Sequence, residues 1–240
     1  MKSAAFILLL ILKLTVLAQS NQKTISEELI NTPKTIYGIT LGGNFSTVNS
    51  TDNDTVFSQN FNSKLGGHLG FKVSYSLNKV VQFQTGAQFD IKGFRESSAV
   101  ISGTSITTNY HTFYLSIPAA IQLNYTPKNT SWGLFGKTGL FYGVAVQGYT
   151  RNKSNTSSNL PPTAIDRDLN FGTNSSDDQK RTELGYLLGG GFIFETFDFG
   201  IIYEQSFNSI APNNDNGLRI TNNILKVSFT YFFTKNQVKG

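Results

Sequence analysis

The most regular feature of the chain is a set of segments in which apolar and polar residues alternate. In the segment FYLSIPAAIQLNY (113–125), one parity is apolar from Phe113 to Tyr125, and the other is small or polar. A period of two indicates a β-strand, because successive side chains of a strand point to opposite faces. Strands of globular proteins usually have about five or six residues. The pattern therefore predicts an unusually long strand.

Eight segments of the chain show this alternation. They are residues 35–45, 65–77, 81–93, 113–125, 132–146, 184–194, 197–207 and 225–233. Long connections (46–64, 94–112, 147–183 and 208–224) alternate with short ones (78–80, 126–131 and 195–196). Tight turns at one end and long loops at the other are typical of an outer-membrane β-barrel. The predicted fold class is all-β, an eight-stranded antiparallel up-and-down transmembrane β-barrel over residues 34–233.

The length of the strands matches the thickness of a bilayer. A strand such as 113–125, at about 3.3 Å per residue and tilted near 45°, covers about 30 Å, which is the thickness of the hydrocarbon core. Aromatic residues at both ends fit the girdles of membrane barrels. Those expected near the turns are Tyr37, Tyr75, Phe83, Tyr125, Trp132, Phe194, Phe197 and Phe233, and those expected near the loops are Phe45, Phe113, Tyr142 and Phe207.

Two finer predictions concern the backbone. Pro118 lies on the inward parity of its strand and lacks an amide donor, so we expect a bulge there. The 147–183 connection is the longest, and its polar composition predicts a loop that does not fold by itself.

Charged residues within the eight segments fall on the parity opposite the large apolar residues. A charge on the lipid side near the bilayer midplane costs a few kcal/mol, whereas charges inside a barrel can pair with each other. The predicted polar network of the lumen is His68, Lys72, Asp90, Lys92, Lys137, Glu204 and Lys226, and Asp198 shares their parity. Bulky inward residues (Phe135, Phe141, Leu187 and Ile202) predict a lumen filled by side chains, not an open pore.

The N-terminal stretch MKSAAFILLLILKLTVLAQS is typical of a secretory signal peptide. Lys2 precedes an apolar run from Ala4 to Leu12, and small residues precede an expected cut after Ala18. The run is too short to span a bilayer. The predicted organisation is a signal peptide at 1–18, a periplasmic segment at 19–33, the barrel, and a C-terminal tail at 234–240. The predicted location is the cell outer membrane, with both ends of the mature chain in the periplasm.

The composition agrees with a β-rich exported protein. The chain has 240 residues with 22 glycines, 20 phenylalanines and 10 tyrosines, and only 15% are charged. Such a composition favours strands over long helices. The net charge of +5 is diffuse, with no Lys/Arg run, which argues against a nucleic-acid partner. The chain has no cysteine, so it forms no disulfide and has no lipoprotein anchor.

Several strand motifs resemble a known family. They are IYGITLGGNFS in the first strand, FDIKGF at the end of the third, YLSIPAAIQLNY in the fourth and ILKVSFTYFF in the last. They resemble the PorT-like small outer-membrane β-barrels of Bacteroidota and, more broadly, eight-stranded OmpX/OmpA-type barrels. The resemblance implies an outer-membrane barrel, marks no catalytic residue, and suggests an accessory role in an envelope or secretion assembly. Such barrels usually end on an aromatic residue, but here TKNQVKG follows Phe233.

Candidate chemistry is sparse in this sequence. His68 and His111 could serve a hydrolase with a serine or acidic partner, and Thr112 and Ser116 lie near His111, but no acidic residue has a suitable spacing. The segments TDNDT (51–55) and NNDNG (213–217) lack the terminal Glu of a calcium loop. We predict no catalytic, metal-binding or cofactor-binding residue and no cofactor.

The function predicted from the sequence is that of a non-enzymatic barrel that presents long extracellular loops. Its expected partners are outer-membrane lipid and an envelope protein that the loops contact. The alternatives are a narrow pore for small solutes and a loop-end outer-membrane hydrolase. A soluble lipocalin-like binder is the rival fold, and it would place apolar residues inside the barrel and polar residues outside.

Overall fold

The computed structural model describes residues 35–51, 60–97, 104–156, 163–174, 176–212 and 219–233. They form ten strands: β1 (Thr35–Thr51), β2 (Asn60–Ser76), β3 (Val81–Lys92), β4 (Phe94–Ser97), β5 (Thr104–Tyr125), β6 (Trp132–Thr156), β7 (Thr163–Asp168), β8 (Thr182–Phe194), β9 (Phe197–Ser206) and β10 (Arg219–Phe232). Within these ranges, no helix is long and apolar enough to cross a membrane. The predicted signal peptide, the 19–33 segment and the 234–240 tail lie outside the described residues.

The strands close into a ring in which every pairing is antiparallel. Strand β1 pairs with β2 on one side and with β10 on the other, so the first and last strands close the ring. Strands β3 and β4 both pair with β2 and β5, and Gly93 separates them, so they act as one barrel strand. The ring continues through β5, β6, β8, β9 and β10. The predicted fold class, an eight-stranded up-and-down barrel, is confirmed.

The barrel strands extend further at the loop end than the alternation predicts. Strand β1 continues to Thr51, β5 begins at Thr104 and β6 continues to Thr156, and these added residues pair in register, as in Thr107↔Lys153. Strands β2, β8 and β10 also begin earlier than predicted. The alternation is lost here because the outward positions above the apolar band are no longer regularly apolar, although Val48, Phe94 and Ile210 are buried at this end. The long connections are therefore shorter than the sequence predicts.

The 147–183 connection contains regular structure where the sequence predicts a loop; that it does not fold by itself stays a prediction. Strand β7 lies within this segment and pairs with the upper half of β6 from Tyr149↔Asp168 to Ser154↔Thr163. The amide of Leu169 donates to the Gly148 carbonyl at 2.9 Å, which extends the β6–β7 pairing by one residue past Tyr149↔Asp168. Backbone hydrogen bonds between neighbouring strands stabilise this hairpin. Its sequence lacks the alternation of apolar and polar residues from which a strand could be predicted.

The bulge expected at Pro118 is not found in the described register. Pro118 pairs with Phe141 without a shift, and its carbonyl accepts a hydrogen bond from Thr85 Oγ1 at 2.9 Å. The β3–β5 pairing lapses between Thr85↔Ala119 and Gln88↔Ser116 without an inserted residue, so the missing amide donor only interrupts the ladder. The irregularity of β5–β6 lies instead between Phe113 and Tyr114, opposite Val146.

The outer face of the ring is apolar. Large apolar residues are exposed on all eight barrel strands, for example Leu65 at 69%, Phe89 at 60% and Leu140 at 52%. They define the apolar band, which lies within 37–45, 65–75, 83–91, 113–125, 132–146, 184–194, 197–207 and 225–233. The predicted girdle residues are exposed except Phe113, which is half-buried. This arrangement is the inverse of a lipocalin-like binder, because apolar groups point outward and polar groups inward.

Candidate functional site

The centre of the lumen is a buried lysine between two carboxylates. Lys226 of β10 lies 2.8 Å from Asp90 of β3 and 2.8 Å from Glu204 of β9, and all three side chains are at most 4% exposed. Strands β3 and β10 are not neighbours in the ring, so this ion pair crosses the lumen past β1 and β2, which lie between them. Its three members were predicted as part of the lumen network, but their mutual contact was not.

A second ion pair lies nearer the loop end of the lumen. Lys92 of β3 pairs with Glu183 of β8, and Asn222 Nδ2 donates to the other carboxylate oxygen of Glu183 at 2.5 Å. The Lys92 ammonium also lies 4.7 Å from the Tyr114 ring centre and 5.0 Å from that of Phe141. Glu183 is not among the predicted lumen residues, because the predicted strand begins one residue later, at Leu184. Extending the alternation of that strand by one position would have placed Glu183 inside.

Lys72, Lys137 and Asp198 occupy the turn-end half of the lumen. Lys72 Nζ donates to Thr230 Oγ1 at 2.7 Å, and Lys137 lies 5.9 Å from the Phe135 ring centre. Asp198 is 3% exposed in the same half of the lumen. With Glu183 included, the described lumen contains four lysines (Lys72, Lys92, Lys137 and Lys226) and four carboxylates (Asp90, Glu183, Asp198 and Glu204). The interior is thus balanced in formal charge.

His68 belongs to a buried hydrogen-bonded chain. Its Nδ1 lies 2.6 Å from Asn44 Oδ1, and its Nε2 lies 2.8 Å from Ser228 Oγ. Gly42 makes room for the ring, because a Cβ there would lie 2.6 Å from His68 Cε1 and 1.9 Å from the Val227 carbonyl oxygen. Serine, histidine and an orienting amide are also the parts of a nucleophilic triad. Here they join β1, β2 and β10.

The space beside Ser228 is too small for a substrate. Ser228 lines a cavity of about 40 Å³ together with Lys72, Gln84, Lys137 and Glu204, and one or two water molecules would fill that volume. A buried cluster of Ala120, Phe141, Leu187 and Ile202 packs in the same region. The arrangement therefore holds the walls together and leaves no route for an ester or a peptide to the serine hydroxyl.

His111 lies apart from this network. It faces outward and stacks on Tyr149 with ring centres 4.5 Å apart. Thr112 and Ser116 are buried on the opposite, inward face, so the structure separates His111 from both hydroxyls. Burial, followed by the charges of Lys64 and Arg151, lowers the pKa of His111 to about 4. Among the described residues, no group of three or more His, Asp or Glu side chains could hold a metal ion.

A closed ring with an apolar outer band and a charge-paired, filled interior defines a small membrane-spanning β-barrel protein. Residues 17–211 match the family model described as "Outer membrane protein beta-barrel domain". The chain belongs to this family, and it is an outer-membrane protein.

Solved structures of other small barrels are similar to the chain at low sequence identity. Ail, the attachment invasion locus protein of Yersinia pestis, solved in complex with the heparin analogue sucrose octasulfate, is 15% identical; the match covers 84% of this chain and 100% of that one, with a TM-score of 0.35. OprG from Pseudomonas aeruginosa is 13% identical, with 84% and 97% covered and a TM-score of 0.39. Neisserial surface protein A is 10% identical, with 81% and 96% covered and a TM-score of 0.36. No curated protein is significantly similar in sequence.

Proposed function

We propose that this protein is a non-enzymatic outer-membrane barrel that presents its loop-end wall to an envelope partner. The observation that supports the proposal is the extension of the wall above the apolar band. Strand β6 continues from the band to Thr156, β5 begins at Thr104, and β7 adds a third strand beside them. We call this sheet, residues 104–111, 149–156 and 163–168, the wall extension.

The wall extension has the properties of a surface for strand pairing. Strand β7 pairs with β6 along one edge, and the described residues place no strand on its other edge. Ile165 at its centre is 62% exposed. An exposed strand edge is a template for an added strand from another chain. The filled lumen, in contrast, offers a solute no continuous path.

The first test removes the upper part of the wall extension. Residues 151–166 are replaced by a two-residue Asn-Gly turn, which leaves all eight strands of the band intact. We expect the variant to remain a barrel that migrates faster unboiled than boiled in a gel, and to lose cross-linked envelope partners. The control is Arg151→Ala with Asp166→Ala, which removes the exposed ion pair and keeps the strand edge. Partners retained by the shortened barrel would contradict the proposal.

The hydrolase alternative has its own test. A fluorophosphonate reagent should not label Ser228 in the folded protein, because the serine faces a cavity of about 40 Å³. Replacing His68 or His111 by alanine should change no esterase or peptidase activity of the purified barrel. Labelling of Ser228 that disappears in His68→Ala would instead establish a nucleophilic site.

Four more specific points about the family, role, topology and processing of the protein also belong to this proposal. They are the PorT-like relationship within Bacteroidota, the accessory role in a secretion assembly, the periplasmic chain ends and the cleavage of 1–18. N-terminal sequencing of the mature protein should begin at Gln19. Proteinase K added to intact cells should cut within 157–162 and spare the turn at 78–80, and the reverse pattern would contradict the orientation.

A further inference from the structure

Two cations lie on the outside of the barrel wall directly above the apolar band. Leu65 and Ile91 are exposed apolar residues near the loop end of β2 and β3. Next to them, Lys64 Nζ reaches over the junction of β3 and β4 and donates to the Tyr110 carbonyl at 2.9 Å. Gly93 allows this crossing, because a Cβ there would lie 2.1 Å from the Tyr110 oxygen and 3.3 Å from Lys64 Cδ.

Arg95 is held beside Lys64 by the neighbouring strand. It is exposed on β4 and pairs in register with Asn109 of β5, whose Oδ1 accepts a hydrogen bond from Arg95 Nε at 3.1 Å. This contact orients the guanidinium and occupies one of its five donors. The remaining amino groups form the planar fork that binds phosphate oxygens in pairs.

Lys64 and Arg95 repel each other, and the described side chains supply no counterion for them. The described carboxylates that form ion pairs form them with other cations. The nearby Arg151 is already held by Asp166 through two hydrogen bonds of 2.8 Å. Burial, followed by the charges of Arg95 and Arg151, lowers the pKa of Lys64 to about 8. A bound dianion would relieve this repulsion.

We propose that Lys64 and Arg95 bind the phosphate monoester of a lipid headgroup in the leaflet at the loop end of the barrel. The position selects a lipid over a soluble anion. Acyl chains contact Leu65 and Ile91, and the phosphate of the same molecule then lies at the height of the two cations. A basic pair at a membrane surface attracts anionic headgroups by the same electrostatics.

The inference can be tested by lipid titration of the full mature chain in a neutral detergent. Native mass spectrometry would count bound dioleoyl phosphatidic acid, with dioleoyl phosphatidylcholine as the reference lipid. We expect the wild type to prefer phosphatidic acid, and we expect Lys64→Gln with Arg95→Gln to raise its dissociation constant roughly 30-fold. The matched control is Lys128→Gln with Arg219→Gln, two exposed cations elsewhere on the molecule, which should leave the constant unchanged.

Three results would overturn the inference. They are equal affinity for the two lipids, equal weakening in both double variants, and displacement of phosphatidic acid by an equal concentration of inorganic phosphate, which would assign the site to a soluble anion. Each variant is first checked for the mobility difference between unboiled and boiled samples. If the double variant does not fold, Arg95→Gln alone keeps the bond from Lys64 to Tyr110, and its affinity must still fall.

Discussion

At the scale of single residues, the interior of the barrel depends on partners that face each other across the lumen. Lys226 is 1% exposed, and Asp90 and Glu204 approach it from different walls. Desolvating such charges is costly, and their mutual attraction offsets that cost only while the whole set is present. The triad therefore specifies how the strands are arranged around the lumen more than it adds net stability.

The first residue-scale prediction concerns this triad. Lys226→Met should lower the free energy of unfolding by about 3–5 kcal/mol, because two buried carboxylates lose their counterion. Adding Asp90→Asn and Glu204→Gln to the same chain should recover most of the loss. Urea unfolding in lipid vesicles measures the effect, and Lys128→Met at the exposed turn serves as the control. Equal stability of Lys226→Met and Lys128→Met would show that the triad does not form.

A second residue-scale prediction concerns the lipid face. Leu69 is 56% exposed in the middle of the band of β2, beside Leu41 and Phe89 of the neighbouring strands. Leu69→Arg should cost about 2–4 kcal/mol, because it places a charge near the bilayer midplane. Thr47→Arg, above the band on β1, should cost about 0–1 kcal/mol. The same vesicle unfolding assay compares the two, and equal costs would mean that the band is not in hydrocarbon.

At the scale of elements, the sequence predicts the strands wherever one face meets lipid. The segment 113–125 alternates because Leu115 and Ile117 face the bilayer while Tyr114 and Ser116 face the lumen. Above the band the outward positions, such as Thr107 and Asn109, are polar, so 104–112 shows no such period although it belongs to β5. The ion pair of Lys92 with Glu183 was equally hidden, since ring closure brings together residues that are far apart in the sequence. Parity shows which side chains point inward, but it does not show which of them meet.

At the scale of the whole molecule, two layers of side chains close the lumen. The inner layer is the cluster of Ala120, Phe141, Leu187 and Ile202 together with the ion pairs of Lys226 with Asp90 and Glu204. The outer layer lies at the loop end, where Val48, Phe94 and Ile210 are buried together and Phe61, Tyr110 and Ile220 pack against them. The inner layer can be predicted from the sequence, whereas the outer layer cannot. Its residues all lie in the segments predicted to be long loops.

The last prediction follows from these two layers. The wild-type barrel should show little or no steady conductance in planar bilayers, because eight strands leave an interior that side chains fill. Phe141→Ala opens only the inner layer and Phe94→Ala only the outer one, so each single variant should also remain non-conducting. The double variant removes a ring from both layers and should be the first to pass small ions. A porin in the same bilayers verifies that channels are detected. Large, stable currents through the wild type would contradict the closed lumen, and currents through Phe94→Ala alone would mean that the inner layer does not seal the barrel.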